Sequence, residues 1–285
     1  MNDDKKTTPF HKVRFLNGIL YVAFFFFITF SVYAEEQRKL ALLFLTRSDL
    51  NHTDVWKEWI DPVRCNVYNH SKTTPTDPWF AQYRISDIQP NEWGYLLLAQ
   101  QALLREALKN PFNEKFIFLS ESCIPLYSCN HIYFTLMATP HSHMRWYGIW
   151  WEGDPHRTLT EFPTEHHFGN HQWIILNRKH AQMIADDNYW IHLAMQHLCC
   201  DEAYPSTFFS MCGVLNEFRN ELTTFVDWQR GGPYTFVQHT QQNYDILIDA
   251  KHNPNGYFAP RKCLFARKFS SSFPSDVINS IILSD

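Results

Sequence analysis

Chemistry-bearing residues gather in a few short stretches of this chain. Cys200-Asp201-Glu202-Ala203-Tyr204-Pro205 sets two adjacent carboxylates between a cysteine pair and the apolar Phe208-Phe209. A carboxylate held against apolar neighbours gains proton affinity and suits a general base. An acid capping a helix N-terminus is the plainer alternative for the same residues. Trp228-Gln229-Arg230-Gly231-Gly232-Pro233 joins an aromatic face, a guanidinium and a flexible turn, a set suited to stacking on a sugar ring beside a phosphate, or to an ordinary turn. His141, His143, His166, His167 and His171 offer nitrogen ligands, but their spacing matches no zinc signature, so hydrogen-bonded histidines are expected. Gly-x-Ser-x-Gly, His-Glu-x-x-His and Gly-x-Gly-x-x-Gly are all missing, which sets aside the common hydrolase and dinucleotide classes.

The elements that must position these residues follow from periodicity. Lys39 to Leu45 is a short apolar run of the buried, parallel-strand type, ending in the polar Thr46-Arg47-Ser48-Asp49. Val55, Trp56, Trp59 and Ile60 recur at helical spacing, and Cys65 to Tyr68 reads as a second strand running into Asn69-His70, giving a βαβ start. Glu92 to Leu108 carries an apolar face and predicts an amphipathic helix that stops before Pro111. Phe116 to Leu119 predicts another buried strand, delivering Ser120-Glu121-Ser122 to its carboxyl end. Gln172 to Leu176 reads as a strand and Arg178 to Asp186 as a helix, and no internal repeat is visible. In open α/β sheets ligands bind beyond the carboxyl ends of strands, so Thr46, Arg47, His70 and Glu121 become site candidates by topology.

With 285 residues, 45% hydrophobic and 19% charged, the chain can bury a sizeable core, and it is neither a small disulfide module nor disordered overall. Its net charge of -4 argues against a broad nucleic-acid surface. Residues 1–14 carry Lys5, Lys6, Lys12 and Arg14, and Phe15 to Ala34 is an uncharged run long enough to cross a bilayer. This predicts a basic cytoplasmic tail (1–14), a type II signal-anchor (15–34) and a catalytic domain (35–285). A cleaved signal peptide is the alternative, since Val32-Tyr33-Ala34 resembles a peptidase site. The seven cysteines form no CxxC pair and leave connectivity open. Asn51-His52-Thr53 and Asn69-His70-Ser71 are glycosylation sequons.

Seven blocks occur in a telling order. They are Leu43-Phe44-Leu45-Thr46-Arg47, Glu92-Trp93-Gly94, Phe118 to Leu126, Gln172-Trp173 through Lys179, Asp201-Glu202, Val226-Asp227-Trp228 through Pro233, and Leu264 to Phe269. Together, over roughly residues 39–274, they resemble the core-2/I-branching β-1,6-N-acetylglucosaminyltransferase family, and its plant and microbial branch in particular.

The resemblance implies a GT-A-like α/β catalytic domain, a Rossmann-like mixed sheet flanked by helices. It implies inverting transfer of a sugar, most simply N-acetylglucosamine, from a UDP-sugar to a glycan or glycoprotein, without a divalent metal. Xylosyl or glucuronosyl transfer, or a non-catalytic glycan binder, are the alternatives within it. Where a GT-A enzyme usually carries Asp-x-Asp, this chain reads Ser120-Glu121-Ser122, and no Asp-x-Asp occurs anywhere. By the same resemblance Glu202 is the general base and Asp201 its neighbour on the acceptor side, while Trp228 is an acceptor platform. By the same resemblance Lys268 meets the diphosphate, while the family's diphosphate arginine has no unambiguous counterpart here and Arg230 or Arg267 is offered as a second cation on chemical grounds; Glu121 and Ser122 line the donor pocket, and Thr46, Arg47 and His70 lie at the nucleotide-side strand ends. The expected setting is a membrane, Golgi in a eukaryote or the envelope in a bacterium, with secretion following if the N-terminal run is cleaved.

Overall fold

The first strand sets the layering of the molecule. Leu40 to Leu45 are all buried, and their side chains alternate between two cores. Leu40, Leu42 and Phe44 join Val55, Trp56, Ile132 and Ile278 on one face, whereas Ala41, Leu43 and Leu45 join Leu103, Leu104, Phe118 and Ile184 on the other. A strand reads as a continuous apolar run when both faces of its pleat are dry. Each fully buried Leu or Phe here contributes roughly 1.5–3 kcal/mol over an exposed one.

A computed structural model describes residues 38–148, 154, 156–252 and 263–284. The chain from Lys39 onward packs as one compact unit. Its strands are β1 (Lys39–Thr46), β2 (Cys65–Ser71), β3 (Asn113–Ser120), β4 (Ile124–Pro125), β5 (Ser142–Met144), β6 (Trp146–Gly148), β7 (Phe168–Asn170), β8 (Ile175–Asn177), β9 (Phe218–Asn220), β10 (Thr224–Val226) and β11 (Phe265–Arg267). The helices are α1 (Thr53–Trp59), α2 (Pro78–Ala81), α3 (Leu97–Leu108), α4 (Cys129–Met137), α5 (Arg178–Asp186), α6 (Trp190–Ala194), α7 (Tyr204–Met211), α8 (Gln241–His252) and α9 (Ser275–Leu283).

The main sheet runs β2-β1-β3-β8-β5-β9. β1 is parallel to both β2 and β3, while β8 is antiparallel to β3 and β5. A small second sheet, β10-β11-β4, sits beside it. The mixed sheet with helices on both faces fits the GT-A-like class. In register, Leu45 of β1 stands opposite both His70 and Ser120, so the carboxyl ends of the three parallel strands open at one place.

Several expected boundaries move. The helix expected from Glu92 begins at Leu97, because Gly94 takes a left-handed conformation (φ +83°) and breaks the turn. The strand expected over Gln172 to Leu176 is Ile175–Asn177, leaving Gln172 and Trp173 outside the ladder. The helix over Arg178–Asp186 forms as expected, with the Asn177 side chain accepting from the His180 N–H. Both sequon asparagines are engaged: Asn69 is fully buried and donates to the Phe80 carbonyl, and Asn51 donates to the Phe269 carbonyl (2.6 Å). Residues 1–14 and 15–34, the expected tail and anchor, lie outside the described residues. Among those described, no helix is long and apolar enough to cross a membrane.

Candidate active site

The open ends of β1 and β3 form one wall of a cavity of about 600 Å³. Thr46, Arg47, Ser120 and Glu121 line this wall. Arg47 is largely exposed and its Nε lies 3.0 Å from Glu121 Oε1, so the acid standing where Asp-x-Asp is usual carries an arginine instead. Thr46 Oγ1 donates to the Ser48 carbonyl, which pins the turn after β1.

The second wall comes from the small sheet. β11 pairs in parallel with β10 and in antiparallel with β4, and it carries Arg267 and then Lys268 into the cavity. The Phe269 N–H donates to the Ser122 carbonyl (2.9 Å), tying this strand to the turn after β3. The Arg267 guanidinium carbon sits 4.5 Å from the centre of the Trp173 ring. Its Nη1 lies 3.4 Å from Gln172 Oε1, and its Nε has no hydrogen-bond partner. Burial lowers the pKa of Arg267, opposed by Cys123, Glu121, Glu202 and Asp201. Burial also lowers Lys268, helped by the Arg267 charge and opposed by Glu121. Two cations held partly out of water beside one another seek an anion.

The third wall holds the acids. Cys199 is left-handed (φ 56°), a conformation costing about 1–3 kcal/mol in a residue with a Cβ. It starts the tight 3-10 turn Cys200–Glu202, closed by the Glu202 N–H donating to the Cys199 carbonyl (2.9 Å). Gly94 packs against this turn: a Cβ there would lie 2.7 Å from Leu198 Cδ1 and 3.2 Å from the Cys199 nitrogen. Neither acid caps the helix that follows, because Ala203 holds the N-cap of α7 without a side-chain bond. Asp201 is fully buried with its Oδ1 unpartnered, and burial followed by the Glu202 charge pushes its pKa up to about 7. Burial likewise raises Glu202, opposed by Arg157 and then Arg267. Glu202 therefore holds a proton more readily than a surface glutamate while facing two guanidinium groups that favour its anion.

Trp228 follows β10 at the cavity rim and is half exposed, and Trp93 stands at the same rim, more exposed still. The structure thus brings Thr46, Arg47, Glu121, Asp201, Glu202, Trp228, Arg267 and Lys268 to one cavity. Three expected residues are not brought there. Arg230 is occupied elsewhere: its Nε donates to Asp227 (2.7 Å), its Nη1 to Asn243 (3.0 Å), and its guanidinium lies over the Tyr234 ring at 3.5 Å. His70 is fully buried, its Nε2 accepting from the Gln89 N–H (2.9 Å), and burial lowers its pKa. Ser122 turns inward, its Oγ 3.1 Å from Ser120 Oγ.

Lys72, Asn91, Glu92, Arg157, Gln172 and Trp173 also line the cavity and were not singled out as site residues from the sequence. Glu92, Gln172 and Trp173 lay inside the ordered blocks, which was the available signal. Lys72 and Arg157 had none. The histidines disperse: His143 pairs with Glu221, His166 meets Ser210, and His167 meets the Phe162 carbonyl. Among the described residues no three His, Cys, Asp or Glu side chains converge as a metal site.

Comparison with known proteins bears on what the cavity is for. The profile of the Core-2/I-Branching enzyme family matches residues 40–246. The chain belongs to that family. The matched span runs from β1 into α8 and takes in every wall of the cavity except the β11 strand that carries Arg267 and Lys268. Over 162 residues the chain is 29% identical to Glycosyltransferase BC10 of Oryza sativa subsp. japonica, an alignment covering 52% of this chain and 41% of the rice protein. The chain therefore matches less than half the length of that relative.

Proposed function

We propose that this member of the Core-2/I-Branching enzyme family is an inverting glycosyltransferase that takes a sugar from a UDP-sugar donor and passes it to a glycan or glycoprotein hydroxyl. The observation that carries this reading is the meeting of a proton-avid carboxylate, Glu202, with two partly desolvated cations, Arg267 and Lys268, in one cavity. Inversion is a single in-line displacement at the anomeric carbon. Glu202 takes the proton of the attacking hydroxyl as the new bond forms, and the bond to the diphosphate breaks on the opposite face. Arg267 and Lys268 meet the charge that grows on the departing UDP. Arg267, not Arg230, is the partner of Lys268 in this reading, since Arg230 is already held by Asp227 and Asn243.

With these cations serving the leaving group, transfer proceeds without a divalent metal. N-acetylglucosamine is the proposed sugar, on the strength of the family resemblance. Trp228 offers a face to the acceptor ring, with Asp201 behind Glu202 on that side. The uncharged run 15–34 is proposed to anchor the catalytic domain in a membrane.

The test is a panel of UDP-sugars titrated against the chain with and without EDTA, followed by transfer assays with wild type and Glu202→Gln. One UDP-sugar should bind equally well in EDTA, and Glu202→Gln should bind it normally while transferring about 10²- to 10⁴-fold more slowly. Full transfer by Glu202→Gln would remove the base from the scheme. Failure of every UDP-sugar to bind would remove the transferase itself.

A further inference from the structure

Away from the cavity, two thiols sit in contact. Cys65 Sγ lies 3.5 Å from Cys129 Sγ, and both residues are buried. Cys65 opens β2, where it pairs with Leu40 of β1. Cys129 is the first residue of α4, whose N-cap Ser128 accepts from the His131 N–H. The two elements are clamped independently of sulfur, because the Arg64 guanidinium stacks on Tyr133 and Phe134 of α4 at 4.8 and 4.9 Å. A surface groove of about 470 Å³, lined by Val55, Trp59, Asp61, Ser128 and Cys129, leads to the Cys129 side of the pair.

We propose that Cys65 and Cys129 are an oxidation site that closes to an intrachain disulfide by exchange with a small disulfide oxidant. This goes beyond the transferase reading and does not depend on it. Closure needs the sulfurs to move from 3.5 Å to about 2.05 Å, within the reach of side-chain rotation when the backbones are already held. Cys129 is the attacking group. It lies on the groove, its thiolate is favoured by the first turn of α4, and the hydrogen bond from Cys65 lowers its pKa against burial. The same contact, with burial, pushes Cys65 up.

The exchange balances with oxidised glutathione as the oxidant. Cys129 gives its proton to water, and its thiolate attacks one glutathione sulfur. The glutathione S–S bond breaks, and the first glutathione leaves as a thiolate that takes up a proton. Cys65 then loses its proton and attacks Cys129 Sγ, displacing the second glutathione, which is protonated in turn. Two protein thiols and one glutathione disulfide become one protein disulfide and two glutathione thiols.

Peptide mapping under non-reducing conditions tests this on the full chain, after incubation folded in reduced or in oxidised glutathione and trapping of free thiols with an alkylating reagent. The expected result in the oxidised arm is a cross-linked peptide pair containing Cys65 and Cys129, absent from the reduced arm. Reduction of the bridged chain should lower Tm on the order of 10 °C, since the bridge closes a long span of chain. That loss should be missing in the double variant Cys65→Ala, Cys129→Ala. Recovery of both cysteines singly alkylated in the oxidised arm, or bridging of Cys129 to a different cysteine, would overturn the proposal. The mapping needs only the unmodified sequence, so it decides the matter even if the double variant fails to fold. Donor binding, measured in parallel, should be unchanged by oxidation, since neither thiol lines the catalytic cavity.

Discussion

Replacing Asp201 by asparagine should stabilise the protein above about pH 4, by an amount that grows with pH and levels off near pH 7. Asp201 is fully buried, and its pKa rises from the ordinary 3.8 to about 7, through burial first and the Glu202 charge second. An acid whose folded pKa is raised binds its proton more tightly folded than unfolded. Its contribution is therefore intact below pH 3.8 and is lost as pH climbs through about 7. At about 1.4 kcal/mol per pH, the interval from 3.8 to about 7 removes on the order of 4 kcal/mol from the wild type by pH 8. Asparagine matches the protonated carboxyl in shape and does not titrate, so the variant escapes that loss. Urea or thermal unfolding of wild type and Asp201→Asn at several pH values from 4 to 8 measures it. The two should coincide near pH 4, and the variant should melt on the order of 10 °C higher at pH 8. Placing Asp201→Asn in a Glu202→Gln background should shrink the gain, since the second cause of the raised pKa is then gone. A difference that stays flat with pH, or a variant that weakens as pH rises, would refute the assignment of a buried, proton-holding Asp201.

Three further outcomes follow from the geometry. Lys268→Ala and Arg267→Ala should each weaken UDP-sugar binding about 10- to 100-fold, the worth of one charge-assisted hydrogen bond, while Arg230→Ala lowers Tm and leaves the donor dissociation constant unchanged; isothermal titration separates the cases. Trp228→Ala should raise the acceptor KM about 3- to 10-fold with donor affinity preserved, as read from steady-state transfer kinetics. Gly94→Ala should lower Tm by about 2–8 °C from its left-handed backbone alone, and should also slow transfer, because the added methyl presses on Leu198 beside the turn that carries Glu202.

The contrast between residues that were legible in the sequence and those that were not is physical. β1 was legible because a strand dry on both faces is apolar along its buried run, and Thr46, which closes β1, and Glu121, which follows β3, stand out at the carboxyl ends of such strands. Glu202 and Lys268 came from ordered blocks, since periodicity says nothing about which acid or amine enters a cavity. Ser122 failed by one residue: Glu121 enters the cavity while its neighbour turns back to Ser120. His70 failed because the segment from Arg84 to Asn91 folds over the end of β2 and satisfies both its ring nitrogens, a long-range cover with no local signature. Arg230 failed for a local reason, the acid three residues before it, Asp227, which claims its guanidinium. Arg157 and Lys72 were invisible because an isolated cation in a loop looks the same whether it faces solvent or a cavity.

β11 is the last strand among the described residues, yet it supplies both cations of the proposed donor site and joins β4, made far earlier. A chain emerging from the ribosome at about 5–20 residues per second completes β1 and β3 many seconds before Arg267 and Lys268 exist. The wall of the cavity formed by β1 and β3 is thus made without Arg267 and Lys268, which reach it only when β11 docks between β10 and β4. Under the proposed function, a UDP-sugar would from that moment ligate only the finished fold and add RT ln(1 + [L]/Kd) to its stability. On that reading, donor supply would become a lever on the yield of mature protein, acting in the manner of a chemical chaperone.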